Sequence, residues 1–186
     1  MEDFKKFITN LGFLWGLILA GGALVPVLAV FGGLAPQGQF FSLTDIGVVS
    51  GFLTLLALCN LWIFGKSMQL RAAKRTFAIA SILSLALLGA YWLQLSRFQQ
   101  VFLGQEFIAG CEWTEEAAPL LKPGASQCPG ETRVLMERDG ARPDEIWTES
   151  SMKNVERMLF ALWASLTLSW TTMVGLFAVM ISRHRI

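Results

Sequence analysis

Histidine is scarce in this sequence, and charge is low. Among 186 residues there is one histidine, His184, and Asp, Glu, Lys and Arg together make up 16%. A single histidine cannot supply the two axial ligands that a b-type haem takes from one chain. It also leaves no material for a histidine-rich metal site, an H-E-x-x-H zinc motif or a Ser-His-Asp triad. Neither a P-loop nor a Rossmann fingerprint occurs, and no pair of aspartates lies within an apolar run, as intramembrane proteolysis would require. The expectation is a protein that is not an enzyme, with no catalytic residue, no cofactor and no metal; nucleic acid is not among the expected partners.

What is present in abundance is apolar side chain. Hydrophobic residues reach 54% and the mean hydropathy is +0.52. Their placement matters more than their number, because a bilayer core about 30 Å thick takes roughly 20 consecutive apolar residues per helix. Four runs meet that length, about 11–34, 46–64, 77–95 and 158–181, and none contains Asp, Glu, Lys, Arg or His. A soluble helix of such length keeps one polar face; these runs are apolar nearly all round. The first run exceeds the roughly 7–15 residues of a signal-peptide core. It is therefore expected to be a retained helix, with the mature chain beginning near Met1 and Pro26 kinking it by removing one backbone bond.

Positive residues beside a span resist translocation, and here they alternate. Lys5 and Lys6 precede the first run; Lys66, Arg71, Lys74 and Arg75 lie between the second and third; Arg183 and Arg185 follow the fourth. The connection 35–45 has no Lys or Arg, and 96–155 holds six basic against ten acidic residues, a net −4. The predicted fold class is an all-α integral membrane protein: a four-transmembrane-helix bundle with a small disulfide-closed external domain between helices 3 and 4. Residues 1–95 form the cytoplasmic N-terminus and helices 1–3, 96–155 the external domain, and 156–186 helix 4 and a cytoplasmic tail. The expected location is the cell membrane, multi-pass, with both termini cytoplasmic.

The external segment carries Cys111 and Cys128, with sixteen residues between them, around a stretch rich in Pro and Gly. An oxidising compartment favours a disulfide there, and closing such a loop is worth about 3 kcal/mol. Cys59, inside the second run, reads as a small packing residue. Within the segment the apolar spacing over 96–104 predicts that the third helix continues outward. The run 132–136, the Asp139-Gly140 turn signal and Ile146-Trp147 suit a short hairpin, and Ser151 suits an N-cap for the fourth helix.

Four helices with an external cysteine pair share the layout of the DsbB and vitamin K epoxide reductase families. Those families use a C-x-x-C pair, which Cys111 and Cys128 do not form. The outline also resembles tetraspanins, without their Cys-Cys-Gly motif. The first external loop lacks the Trp and two Cys of claudins. None of these families is assigned.

Four features remain as candidates. Gly12, Gly16 and Ala20 on the first helix, and Gly47 and Gly51 on the second, set small residues at fourfold spacing, a device for close packing within a bundle or between subunits. Ala80 with Ser84 and Ala86 with Ala90 repeat it on the third. On the fourth, Ser165, Ser169 and Thr172 share a face, with Asn60 and Gln94 as the other intramembrane polar groups. These hydroxyls either bond carbonyls and neighbouring helices or line a pore. Lys66, Arg71, Lys74 and Arg75 form a cytoplasmic basic edge that suits anionic lipid or an acidic partner. Tryptophans near span ends suit the interfacial belt, while Trp113 and Trp147 lie outside. Two functions survive: a polytopic subunit that senses or scaffolds through self-assembly or a partner membrane or cytoplasmic protein, and an oligomeric channel or pore-forming effector lined by the hydroxyl stripe.

Overall fold

The computed structural model describes residues 42–65, 68–102, 105–117, 128 and 142–184. The predicted first helix with Gly12, Gly16, Ala20 and Pro26, the basic residues Lys66 and Arg185, and the hairpin proposed from 132–136 lie outside the described residues. Helix accounts for 79% of the described residues, so the chain is mostly helical. This agrees with the helical expectation at that coarse level, and the described residues add one two-stranded sheet. The elements are α1 (Leu43–Gly65), α2 (Leu70–Phe98), β1 (Gln99–Phe102), β2 (Gln105–Ile108), α3 (Pro143–Ile146) and α4 (Glu149–His184).

Helices α1, α2 and α4 coincide with three of the predicted spans but extend past them. Hydropathy marks the apolar middle of a helix, whereas the backbone ladder continues through Arg71, Lys74 and Arg75 at the start of α2 and through Glu149, Lys153 and Glu156 at the start of α4. At about 1.5 Å per residue α2 is roughly 44 Å long and α4 roughly 54 Å. Two stretches, Leu70–Phe98 and Glu149–Phe177, are long and apolar enough to cross a membrane. A shorter apolar helical stretch, Asp45–Ala57, lies in α1.

The chain divides into two compact units. The first takes its described residues from Thr44–Gly89 and from Ala164 onward. In it the buried positions of α1, Ile46, Ser50, Thr54 and Ala57, recur every three or four residues and so share one face. The Thr54 hydroxyl donates to the Ser50 carbonyl at 2.8 Å, which satisfies it without a second helix. In α2 the buried positions are Ala73, Ala80 and Ser84. Ser84 meets Ser169 of α4, oxygen to oxygen at 2.9 Å, and Ser169 donates to the Ala80 carbonyl at 3.2 Å. With that proton committed, Ser84 is the donor of the serine pair. Phe77 stacks obliquely on Phe177 at 6.0 Å. Residue 77 beside 177 and 84 beside 169 means that these parts of α2 and α4 run antiparallel.

The second unit takes its described residues from Ser42 and Leu43 and from Ala90–Trp163. Helix α2 ends at Phe98 and the chain turns into β1, where a helical continuation over 96–104 was expected. β1 and β2 pair antiparallel from Gln99↔Ile108 to Phe102↔Gln105, with only Leu103 and Gly104 between them in sequence. A two-residue connection holding Gly is hairpin chemistry. The short apolar run fits both periods equally, and long-range closure decides: Ala109 N–H donates to the Phe98 carbonyl at 2.9 Å. The core of this unit is Phe107, Ala109, Ile146, Trp147 and Met152, while Tyr91 packs on Trp163 with ring centres 5.5 Å apart.

α3 is a single turn. Pro143 stands at its first position, where the missing N–H costs nothing, and the Glu145 carboxylate accepts from Arg142 N–H at 3.0 Å. Ile146 therefore belongs to a helical turn, not to the expected hairpin. α4 begins at Glu149, so Ser151 lies inside it, not at its N-cap; the Thr148 carbonyl accepts the N–H of Ser151 and of Met152, each at 3.1 Å.

Candidate functional site

The densest set of specific contacts outside the helix seams surrounds Cys111 in the second unit. Trp113 and Trp147 form an isolated antiparallel bridge, flanked by Thr114 N–H to the Ile146 carbonyl and Thr148 N–H to the Glu112 carbonyl, both 3.0 Å. This ties 111–114 alongside 145–148, immediately ahead of α4. The Thr114 hydroxyl adds a bond to the Glu145 carbonyl.

Ser151 locks the arrangement. Its hydroxyl oxygen accepts the N–H of Cys111 and that of Glu112 at 2.8 Å. One side chain on α4 thus satisfies two successive backbone donors in a turn that has no ladder of its own. The approach is close because residue 110 is glycine: a Cβ there would lie 2.7 Å from the Ser151 oxygen and 2.9 Å from Trp147 Cβ. Trp147 is completely buried, with its ring 6.0 Å from that of Phe107. Its Nε1 is the one buried side-chain polar atom without a hydrogen-bond partner among the described residues.

Cys111 and Cys128 form a disulfide, with Cα atoms 4.3 Å apart. Arg97, in the last turn of α2, donates to the Cys128 carbonyl at 3.0 Å and places its guanidinium 5.8 Å from the centre of the Phe98 ring. One cysteine is therefore held through Ser151 of α4 and the other through Arg97 of α2, with the covalent bond between them. Around this node Glu112, Glu115, Glu116, Asp144, Glu145 and Glu149 are all exposed. Two of them are ion-paired on the surface, Asp144 with Arg142 at 3.6 Å and Glu149 with Lys153. The face is acidic and solvated. No group of three His, Cys, Asp or Glu side chains among the described residues is arranged to hold a metal.

The structure distributes the other candidates. Gly47 and Gly51 lie on α1, and a Cβ built at either meets no atom within 4 Å, so neither glycine marks a close contact among the described residues. Ser165 is exposed; Ser169 is buried against α2 as described. Thr172 donates to the Leu168 carbonyl at 2.8 Å, as Thr171 does to Thr167. Asn60 is exposed and its amide donates to the Leu56 carbonyl at 2.9 Å. Arg71, Lys74 and Arg75 are exposed on α2. Cys59 is a free, exposed thiol.

Sequence reasoning passed over Gly110, Arg97 and Glu156. Glu156 is 2% exposed on α4, and it is partnered, as a buried carboxylate must be. Its signal was available: 152, 155, 156 and 159 fall on one helical face. Gly110 has no such signal, because its need arises from Ser151, forty-one positions later. Compared with protein families, with characterised proteins and with solved structures, the chain matches none.

Proposed function

We propose that the protein is a non-enzymatic, multi-pass membrane subunit that assembles with itself or with a partner protein and presents the disulfide-closed segment 96–155 outside the bilayer as a sensing or scaffolding face. The observation that carries this reading is the exposure of α2. Only 17% of its most apolar stretch is buried, and Ile79, Ile82 and Leu85 are 66%, 69% and 68% exposed. A core helix of a soluble protein hides such side chains, whereas hydrocarbon solvates them at no cost. The antiparallel run of α2 and α4 supports the same reading, since consecutive crossings must run in opposite directions. It brings the Arg71, Lys74 and Arg75 end of α2 to the same end as Arg183 of α4, in keeping with the positive-inside rule.

Scaffolding is favoured over a pore because the Ser169 hydroxyl, central to the proposed polar wall, bonds α2. Assembly is favoured because Gly47 and Gly51 leave a shallow strip on α1 that is unfilled among the described residues, the relief that lets a second helix approach closely. Native mass spectrometry after mild detergent extraction tests the reading: the expected particle is an oligomer or a complex. Gly47→Leu with Gly51→Leu should shift it to a folded monomer. A wild-type chain that is monomeric and copurifies with nothing would overturn the proposal.

A further inference from the structure

We propose that the outward face at the start of α2 is a binding site for an anionic phospholipid, its phosphate held by Arg71, Lys74 and Arg75 and its acyl chain lying along Ile82 and Leu85. The inference rests on the membrane-crossing reading and adds the lipid class and the site.

Three observations converge on it. At 100° per residue, positions 71, 74, 75, 78, 82, 85 and 89 fall on one face of α2, opposite the buried seam of Ala73, Ala80 and Ser84. Every residue on that outer face is exposed, so cationic head and apolar tail form one strip in the order that a phospholipid presents phosphate and acyl chain. The three cations occupy the first turns of a helix, where the backbone dipole already contributes positive potential. That turn contains no acidic residue, and among the described residues none of the three cations is ion-paired. An anion from outside the chain relieves this accumulation. The cations also precede Phe77, where the uncharged stretch begins, by less than two helical turns, which is headgroup depth for a helix crossing the bilayer. Charge complementarity at that depth selects an anionic lipid headgroup over a zwitterionic one.

The experiment titrates the full-length, detergent-purified protein with phosphatidylglycerol or phosphatidylcholine of identical acyl chains and counts bound lipids by native mass spectrometry. Phosphatidylglycerol is expected to be retained in preference, and each Arg→Gln or Lys→Gln change at 71, 74 and 75 to lower that preference about fivefold while phosphatidylcholine binding stays the same. R71K with R75K should keep the preference. Because removing positive residues can invert insertion, disulfide formation at Cys111 and Cys128, assayed by thiol alkylation, verifies that each variant inserts as the parent does.

Equal retention of the two lipids by the parent protein, or a preference that survives the triple substitution, overturns the site and leaves the membrane-crossing reading intact. Displacement of the lipid by millimolar inorganic phosphate would also overturn it, since a phosphate site needs no acyl strip. A chain that stays in the aqueous phase and retains neither lipid overturns both readings.

Discussion

Ser151 shows how much can hang on one hydroxyl. It accepts two backbone N–H groups from a turn forty residues away, so Ser151→Ala orphans both donors at once. Leaving one partly buried donor unsatisfied costs about 1–3 kcal/mol, and the variant should lose at least that much in thermal or denaturant unfolding of the purified protein. Gly110→Ala should cost a similar amount, roughly 1–3 kcal/mol, for a different reason: the new methyl enters space held by Ser151 and Trp147. The two effects share one contact, so the double variant should fall short of their sum. The disulfide is the third support of this turn. Cys111 and Cys128 are seventeen positions apart, and releasing a loop of that size is expected to remove about 3 kcal/mol. Unfolding measured with and without a dithiol reductant checks this, and an unchanged midpoint would show that Arg97 and Ser151 hold the turn unaided.

At the scale of elements, the seam between α2 and α4 in the first unit is a small polar contact among apolar residues. Ser84, Ser169 and the Ala80 carbonyl satisfy one another, and such interhelical bonds in an apolar solvent average about 0.6 kcal/mol. A cycle of Ser84→Ala, Ser169→Ala and the double variant should return a coupling of that order. A pore wall predicts the reverse, no coupling and a changed ion flux in planar bilayers. What was legible in the sequence follows from the range of the interactions. Hydropathy is a local property, so the middles of α1, α2 and α4 were readable, as was the cysteine pair. The ends were not: α2 runs seven residues earlier than the apolar stretch because backbone bonds tolerate Arg71, Lys74 and Arg75. The turn from helix to hairpin at Phe98 and the displacement of Ser151 from cap to anchor were closed by contacts with 109–113, which no local pattern encodes. Three hydroxyl residues within 148–151 suited the cap equally well by type.

For the whole molecule, the proposed membrane-crossing reading turns on which side of a bilayer each helix end would occupy. α2 begins with three exposed cations and α4 ends beside Arg183. Phe77 against Phe177 and Ser84 against Ser169 put those two charged ends together in the first unit. The segment joining the other ends carries a net −4 over 96–155 and a disulfide that persists only where thiols are oxidised. Under the proposed membrane-crossing reading, charge and redox chemistry both favour an outward 96–155, and the antiparallel run of α2 and α4 is compatible with it. An enzymatic reporter that is active only outside the cytosol, inserted after Glu116, should therefore be active, and the same reporter fused after Arg185 should be silent. The reverse pattern would place the disulfide in a reducing compartment, where glutathione removes it. The acidic face and the turn anchored by Ser151 would then meet the cytosol, and the basic strip on α2 would face a leaflet poor in anionic lipid.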